Sequence, residues 1–91
     1  MKRVHLIIHG HVQGVGFRYY CYEQATELGL TGFARNRKDG TVETEVQGEE
    51  ESVDRYARAM SRGPHISHVT EIIREEMDVI ESESGFGRGW G

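Results

Sequence analysis

The chain has 91 residues, which is enough for one domain with one modest core, and we expect a single domain over residues 1–91. The formal charge of −4 argues against nucleic acid as the main partner, although residues 1–40 carry a net +3 and residues 41–91 a net −7. The sequence contains neither a signal peptide nor an apolar run of membrane-spanning length, so we expect no membrane partner.

The first predicted element is a strand over residues 3–9. Its side chains alternate between two faces, with Val4, Leu6 and Ile8 against His5, Ile7 and His9. A glycine-rich stretch comes next, Gly10-His11-Val12-Gln13-Gly14-Val15-Gly16-Phe17-Arg18. A helical pattern begins near its end, so the order is a strand, a loop and a helix N-terminus.

The glycine-rich stretch has the properties of an anion-binding loop. Glycines at positions 10, 14 and 16 permit positive φ angles, so the backbone can fold tightly around a small group. The loop amides and the first amides of the helix then form a concave set of donors that favours phosphate. Arg18 in the first turn opposes the helix dipole, an arrangement that makes more sense if an anion lies between them. The spacing matches neither the Walker A loop nor the dinucleotide fingerprint, and an arginine paired with a local carboxylate is the purely structural alternative.

A helix and a hairpin follow the loop. An apolar stripe predicts the helix over residues 17–28, formed by Phe17, Cys21, Ala25 and Leu28. Residues 30–36 are predicted as a second strand, with Phe33 and Ala34 as apolar anchors. Asp39-Gly40 indicates the turn of a hairpin. Alternation then predicts a third strand through Val42, Thr44 and Val46.

The second half begins with the clearest helix of the chain. Acidic residues start it at Glu49 to Glu51, Arg58 and Arg62 lie near its end, and Gly63-Pro64 stops it. Its core-facing stripe is predicted to be Val53, Tyr56, Ala57 and Met60. A fourth strand is predicted within residues 66–80. In the glycine-rich ending we expect Phe86 to be docked and residues 88–91 to be mobile.

The resulting order is β-α-β-β-α-β, which predicts an α+β, ferredoxin-like sandwich. Two helices cover one face of an antiparallel sheet of order 4-1-3-2, with a possible short extra strand at the C-terminus. Strands 1 and 2 run parallel with strand 3 between them, so their C-terminal ends meet at one edge, roughly 10 Å apart. This topology brings Asn36, at the end of strand 2, within side-chain reach of the anion loop.

Two segments resemble the signatures of the acylphosphatase family. The first is Gly10-x-Val-Gln-Gly-Val-Gly-Phe-Arg18, and the second is Gly32-Phe33-Ala34-Arg35-Asn36 followed by Gly40-Thr41-Val42 and Gly48. The resemblance covers residues 4–80, and two motifs in the family's order are more specific than one. It implies the fold given above and the hydrolysis of carboxyl-phosphate mixed anhydrides to a carboxylate and inorganic phosphate.

The resemblance also implies the site. Arg18 and Asn36 match the catalytic positions, and the phosphate-binding loop is Gln13, Gly14, Val15, Gly16, Phe17 and Arg18. Arg18 and the loop amides would bind the phosphate, because a guanidinium matches phosphate oxygens with a planar fork of donors. Asn36 would hold the attacking water, since an amide both donates and accepts. We expect no metal and no cofactor, an acyl phosphate as substrate, inorganic phosphate as a competitive inhibitor, and a monomer.

Several residues have plainer interpretations. Asparagine near a hairpin is commonly a turn former. The five histidines lack metal-binding motif spacing, so we interpret them as polar-face residues. Cys21 lies on the apolar stripe of the first helix, which favours a buried thiol, and a lone cysteine is consistent with a reducing, cytoplasmic location. The tyrosines after Arg18, at positions 19, 20 and 22, could border the substrate, but packing is the safer interpretation.

Three functional classes follow from these observations. The leading one is a metal-independent acylphosphatase. The second is a non-catalytic phosphate- or carbamoyl-phosphate-binding module, similar to the acylphosphatase-like domains of larger maturation proteins. The third is a nucleic-acid binder on the same fold, which would need aromatic residues on the open face of the sheet. The glycine-rich ending departs from the family pattern, and this puts the final strand in question rather than the site.

Overall fold

The structure is a computed structural model that describes residues 1–88 of the chain. Its elements are β1 (Lys2–His11), α1 (Phe17–Glu27), β2 (Thr31–Asn36), β3 (Val42–Gly48), α2 (Glu50–Arg62), β4 (His68–Met77) and β5 (Phe86–Arg88). The predicted β-α-β-β-α-β order is confirmed, and the short extra strand is present. None of the helices in this part of the chain is long and apolar enough to cross a membrane.

The five strands form one sheet in the order β4-β1-β3-β2-β5. All neighbours are antiparallel except β2 and β5, which run parallel. Since β3 is antiparallel to both β1 and β2, the latter two run in the same direction, as the topology required. The C-terminal ends of β1 and β2 therefore lie at the same end of the sheet, which is the end that carries the predicted site.

The core fills the space between the two helices and one face of the sheet. Val4, Leu6 and Ile8 of β1 are fully buried and pack with the predicted stripes of both helices. Tyr56 of α2 is also fully buried, and its hydroxyl forms a 2.8 Å hydrogen bond with Thr44 Oγ1. Burial raises the pKa of Tyr56 well above its usual value, and this hydrogen bond satisfies the buried hydroxyl. The periodicity of the sequence thus identified the helical and strand faces that form the core.

Gly10 belongs to β1 rather than to the loop. The predicted strand ended at residue 9, whereas β1 continues to His11 and shifts register against β4 between His9 and Gly10. Gly10 has a φ of 128°, and a Cβ there would lie 2.0 Å from the carbonyl oxygen of His68. Only glycine permits this bulge and this close approach of the neighbouring strand, so its role lies in the sheet.

The prediction that Phe33 and Ala34 both serve as core anchors is wrong for Phe33. Successive side chains of a strand point to opposite faces, so Ala34 is fully buried while Phe33 lies on the face without helices. There the guanidinium carbon of Arg35 lies 5.9 Å from the centroid of the Phe33 ring, which is a cation–π distance.

Residues 78–85 form a crossing segment that carries the chain from β4, at one edge of the sheet, to β5 at the other. Arg3, only 2% exposed, holds this segment: its Nη1 donates to Glu83 Oε1 at 2.8 Å and its Nη2 to Glu83 Oε2 at 3.2 Å. Gln47 adds two hydrogen bonds to the backbone of Ile80, at 2.7 and 2.9 Å. The crossing lies at the start of β1, which is the end of the sheet away from the loop.

The C-terminal segment is ordered further along the chain than the sequence suggested. Phe86 pairs with Gly32 of β2 and packs against the core, as expected. The strand then continues to Arg88, which pairs with Ala34, so the expected mobile tail does not begin at residue 88. Residues 89–91, including Trp90, lie outside the described residues.

Candidate active site

The loop between β1 and α1 ends in a helix N-terminus that has no side-chain cap. Gly16 is the N-cap residue, with φ 79° and ψ 21°, and its carbonyl accepts the first helical hydrogen bond from Tyr20 N at 3.0 Å. Gly14 has a similar φ of 75°. A Cβ at either glycine would meet no atom within 4 Å, so the left-handed backbone, not space, requires glycine here. This left-handed backbone turns the loop into the helix, and the glycine at the N-cap position supplies no side-chain cap.

The side-chain charge in the first turn of α1 is positive. The first turn of α1 contains no acidic residue, and Arg18 is its second residue. The positive end of a helix dipole and a guanidinium together attract an anion and repel a cation. The arrangement is thus suited to phosphate, as the sequence predicted, and Arg18 is only partly exposed.

Gln13 ties the loop to the β2–β3 hairpin. Its side-chain amide Nε2 donates to the carbonyl of Arg37 at 2.7 Å and to the carbonyl of Thr41 at 2.9 Å. The hairpin that begins at Asn36 is therefore fixed against the loop that precedes Arg18. The sequence predicted this proximity from topology, but it did not predict the side chain that enforces it.

The hairpin turn is itself held rigidly. Asp39 Oδ1 accepts from the Thr41 hydroxyl at 2.6 Å and from the Thr41 amide at 3.0 Å. These two hydrogen bonds, with a smaller contribution from Arg37, lower the pKa of Asp39 below its usual value. Arg37 N also donates to the Thr41 carbonyl at 2.9 Å. The Asp39-Gly40 turn predicted from the sequence is thus confirmed, and it limits the movement of Asn36.

Asn36 is the last residue of β2 and pairs with Val42 of β3. The alternation of β2 places it on the same face as the buried Ala34, which is the face that α1 covers. A shallow pocket of about 400 Å³ opens beside it, lined by Arg35, Asn36, Arg37, Lys38 and Asp39. Asn36 therefore lies on the same side of the sheet as the α1 N-terminus, beside a cavity with a cationic rim.

The other predicted loop residues divide between backbone and core roles. The side chain of Phe17 is 2% exposed and lies edge-on to Tyr20, with ring centroids 5.7 Å apart. Val15 packs against the core, and Val12, which the sequence did not single out, is 1% exposed. These apolar side chains anchor the loop from beneath, so their contribution to a ligand would come from their amides.

Cys21 is chemically inert in this fold. It is fully buried between α1 and α2, with its Sγ 3.5 Å from Met60 Sδ. Burial raises the pKa of the Cys21 thiol to about 12, so the nucleophilic thiolate is scarce at neutral pH. The interpretation of Cys21 as a structural thiol is supported.

Histidine does take part in one cluster that the sequence did not reveal. His5, Glu43 and Glu45 bring potential metal-binding atoms within 4.8 Å of one another. Both carboxylates already have guanidinium partners, because Arg35 Nε donates to Glu43 at 2.5 Å and Arg3 Nε to Glu45 at 2.8 Å. The cluster lies on the face without helices, away from the loop, and forms an ion-pair network in the sheet.

The same face offers little to a nucleic acid. Among residues 1–88, Phe33 supplies the aromatic side chain on the face without helices. The guanidinium of Arg35 already lies over its ring. The register of β1 with its neighbours adds Glu43, Glu45 and Glu75 opposite or beside His5. Carboxylates repel a phosphate backbone, so the described face lacks both features that single-stranded recognition needs.

Comparison with known proteins gives consistent results. The family model described as "Acylphosphatase" matches residues 4–87. An acylphosphatase of Geobacillus thermodenitrificans is 43% identical over 86 residues, covering 94% of this chain and 92% of that protein. The crystal structure of acylphosphatase from Bacillus subtilis aligns over 99% of this chain and 100% of that one, with a TM-score of 0.95 and 34% identity. Full-length HypF, in a phosphate- and nucleotide-bound form, matches with a TM-score of 0.86 and 27% identity, but the match covers only 12% of that longer chain.

Proposed function

The chain belongs to the acylphosphatase family and is a hydrolase of acyl phosphates, and we propose that Arg18, Asn36 and the loop from Gln13 to Arg18 perform the reaction. The observation that carries the proposal is the pair of hydrogen bonds from Gln13 to the hairpin. They fix the anion-binding loop and the end of β2 against each other, so a phosphate and a water can be held in one geometry.

The loop and Arg18 would bind the phosphoryl group. The amides at the uncapped start of α1 are donors without intrahelical partners, and they point toward the space in front of the helix. Arg18 adds a planar fork of charged donors that matches two phosphate oxygens. Phosphoryl transfer spreads charge over the three equatorial oxygens. Donors that are fixed before the reaction can therefore stabilise that charge without reorganising.

Asn36 would orient the attacking water in line with the bond that breaks. Its amide oxygen can accept a hydrogen bond from water and its NH2 group can donate one to a phosphate oxygen, but the amide cannot remove a proton from water. A strong base is unnecessary, because the carboxylate of an acyl phosphate is a good leaving group. A phosphate oxygen of the substrate would take the proton of the water as the P–O bond to the acyl group breaks.

The proposal requires neither a metal nor a cofactor, and it uses one chain. The positive end of α1 and Arg18 supply the charge that a cation would otherwise bring to the phosphate. Gln13, Arg18 and Asn36 belong to one chain, so a monomer contains the whole site. Inorganic phosphate resembles the bound part of the substrate, and it would inhibit competitively.

A non-catalytic binding module is the second candidate function. It is favoured by the match to HypF, in which the similar region is a small part of a much longer protein. Such a module would hold a phosphate in the same loop but would not turn over an acyl phosphate. The high coverage of the Geobacillus relative, at 92% of its length, favours the catalytic role.

An acetyl phosphate assay in excess EDTA separates the two candidates. We expect release of acetate and phosphate at an undiminished rate after exhaustive chelation, with competitive inhibition by inorganic phosphate. Phosphate binding without turnover would establish the binding module. Turnover that disappears with EDTA and returns with a divalent ion would contradict the metal-independent mechanism.

A further inference from the structure

The turn of the β2–β3 hairpin is organised around Thr41, which is only 4% exposed. Its amide and its hydroxyl donate to Asp39 Oδ1, at 3.0 and 2.6 Å. Its carbonyl oxygen accepts from Gln13 Nε2 and from Arg37 N, each at 2.9 Å. All the polar groups of Thr41 are therefore bonded, and through them Asp39 is connected to the anion loop and to the residue that follows Asn36.

Asp39 supplies the acceptor on which this arrangement depends. Thr41 is buried, and a buried polar group that loses its partner destabilises the structure around it. Hydrogen bonds to a carboxylate are shorter and stronger than bonds between neutral groups. The two bonds from Thr41 lower the pKa of Asp39, so its side chain is a carboxylate at neutral pH. A single oxygen atom of Asp39 thus holds both the backbone and the side chain of Thr41.

Asn36 lies next to the part of the hairpin that Thr41 holds. Arg37, which donates to the Thr41 carbonyl, directly follows Asn36 in the chain. Asn36 itself pairs with Val42, which directly follows Thr41. A shift of the Thr41 backbone would therefore move neighbours of Asn36 on both strands. The rest of β2 would stay in place, because residues 31–35 pair with β3 further from the turn.

We propose that Asp39 is a positioning residue for the reaction: through Thr41 it holds Asn36 where the attacking water must be placed. The inference rests on the proposed function for the water role of Asn36. Asp39 acts through its acceptor oxygen, and it touches neither the substrate nor the water. Positioning of this kind affects the rate strongly, since a misplacement of about 1 Å can cost about a hundredfold. Phosphate binding should depend on it little, because the loop that carries Arg18 is anchored separately by the buried Phe17.

The negative charge of Asp39 offers a competing explanation. Asp39 lines the cavity beside Asn36, whose rim is otherwise cationic, so its carboxylate lowers the positive potential there. If the charge were its role, any substitution that removes the charge would have the same effect. Asp39→Asn removes the charge but keeps an acceptor oxygen that can bond the amide two residues on. Asp39→Ala removes both, so the two variants separate the hydrogen bonds from the charge.

The experiment measures kcat for acetyl phosphate and the inhibition constant of inorganic phosphate in these variants. We expect Asp39→Ala to lower kcat by about five- to tenfold, with the inhibition constant within about threefold of the wild type. Asp39→Asn should keep kcat within about twofold of the wild type, because the acceptor is retained. Asp54→Ala is the matched control, since Asp54 is a surface aspartate that pairs with Lys2 and Arg74 at the far end of the sheet. It should keep the kcat of the wild type.

A double-mutant cycle tests whether Asp39 acts through Asn36. In the Asn36→Ala background, where no amide remains to be positioned, Asp39→Ala should change kcat by less than about twofold. The same loss in both backgrounds overturns the inference, and so does an equal loss in Asp39→Asn and Asp39→Ala. If Asp39→Ala fails to fold, Thr41→Val takes its place, because it removes the 2.6 Å bond and keeps the shape of the side chain. It should lower kcat in the wild-type background alone.

Hydrogen exchange at the Arg37 amide separates this inference from the proposed function, because it requires no turnover. The amide donates to the Thr41 carbonyl, so its protection reports whether the turn is held. We expect Asp39→Ala to lower the protection by about tenfold and Asp39→Asn to retain it. Unchanged protection in Asp39→Ala overturns the inference while the proposed function stands. Wild-type kcat in Asn36→Ala would refute the proposed water role, and the positioning role of Asp39 would fall with it.

Discussion

The roles proposed for Arg18 and Asn36 in the reaction are different. Arg18 brings charge and a fixed donor geometry to an N-terminus that has no acidic side chain in its first turn. Asn36 brings no charge, and its position comes from β2 and from the turn that Asp39 and Thr41 hold. A mutation at the first residue should therefore weaken phosphate recognition, whereas one at the second should leave recognition and slow the attack of water.

Arg18→Lys keeps the positive charge but loses the planar fork. We expect kcat/KM for acetyl phosphate to fall by about 3 kcal/mol or more, which is over a hundredfold. The far-ultraviolet circular dichroism spectrum and the melting temperature should be nearly unchanged, because the side chain is outside the core. Arg58→Lys, at an exposed position of α2, is the control and should retain full activity. Near-normal turnover in Arg18→Lys would show that charge alone is sufficient.

Asn36→Ala should lower kcat by about tenfold or more, because the water loses its orienting amide. The inhibition constant of inorganic phosphate should change by less than about threefold, since the loop and Arg18 still bind the anion. Steady-state kinetics with phosphate as inhibitor give both values in one experiment. A collapse of phosphate binding with unchanged kcat would make Asn36 a phosphate ligand and would refute the proposed water role.

The elements of this fold are joined by side chains that link distant parts of the sequence. Gln13 joins the loop before α1 to the hairpin between β2 and β3. At the other end of the sheet, Arg3 of β1 joins the crossing segment through Glu83, and Thr31 Oγ1 of β2 donates to Glu83 Oε1 at 2.8 Å. The first link serves the site and the second link holds β5, so the two ends of the sheet can be tested separately.

Glu83→Gln tests the link between Arg3 and the crossing segment. Partial burial raises the pKa of Glu83, but hydrogen bonds from Arg3 and Thr31 outweigh it, so the folded-state pKa lies below the usual value. Such a carboxylate contributes stability above its unfolded pKa of about 4.3, and the contribution is lost as pH falls through the folded pKa. We expect the variant to be less stable by about 1–3 kcal/mol at pH 7, and the difference should shrink in acid below about pH 4.3.

Urea unfolding at neutral and acidic pH measures this difference in free energy of unfolding. Glu81→Gln is the matched control, because Glu81 lies in the same crossing segment but is exposed. The control should differ little from the wild type at either pH, and the acetyl phosphate activity of both variants should be retained. An equal loss of stability in the two variants, or a loss that does not depend on pH, would contradict the role given to Glu83.

Much of the fold could be predicted because it follows from the local periodicity of the sequence. The stripe of α2, the alternation of β3 and the Asp39-Gly40 turn depend on neighbours in sequence, and the structure has them where they were expected, except that the buried alanine of α2 is Ala59 and not Ala57. The partners of Arg3 and Gln13 could not be predicted, because they are distant in sequence and depend on the finished topology. Glu83 lies 80 residues from Arg3, and the two carbonyls that Gln13 contacts lie 24 and 28 residues from it. Assigning Phe33 to the core failed for the same reason, because the buried face of a short strand is decided by its partners.

The molecule as a whole separates its charges along the sequence and in space. The basic first forty residues supply the loop, Arg18 and the cationic rim beside Asn36. The acidic second part supplies α2, β4 and the crossing segment, whose carboxylates pair with Lys2, Arg3 and Arg74 at the far end of the sheet. The net acidic protein thus has a cluster of positive side chains at the end of the sheet that carries the loop, which attracts a phosphate-bearing substrate there.

Hydrolysis of acetyl phosphate in water enriched with oxygen-18 tests the central claim most directly. If the loop holds the phosphoryl group and the water attacks phosphorus in line, the new oxygen belongs to inorganic phosphate. Mass spectrometry of both products locates the label. We expect it in phosphate for the wild type, and still in phosphate for the slower Asn36→Ala variant. Label in acetate would mean that water attacks the carbonyl carbon, and it would contradict the roles assigned to Arg18, Asn36 and the loop.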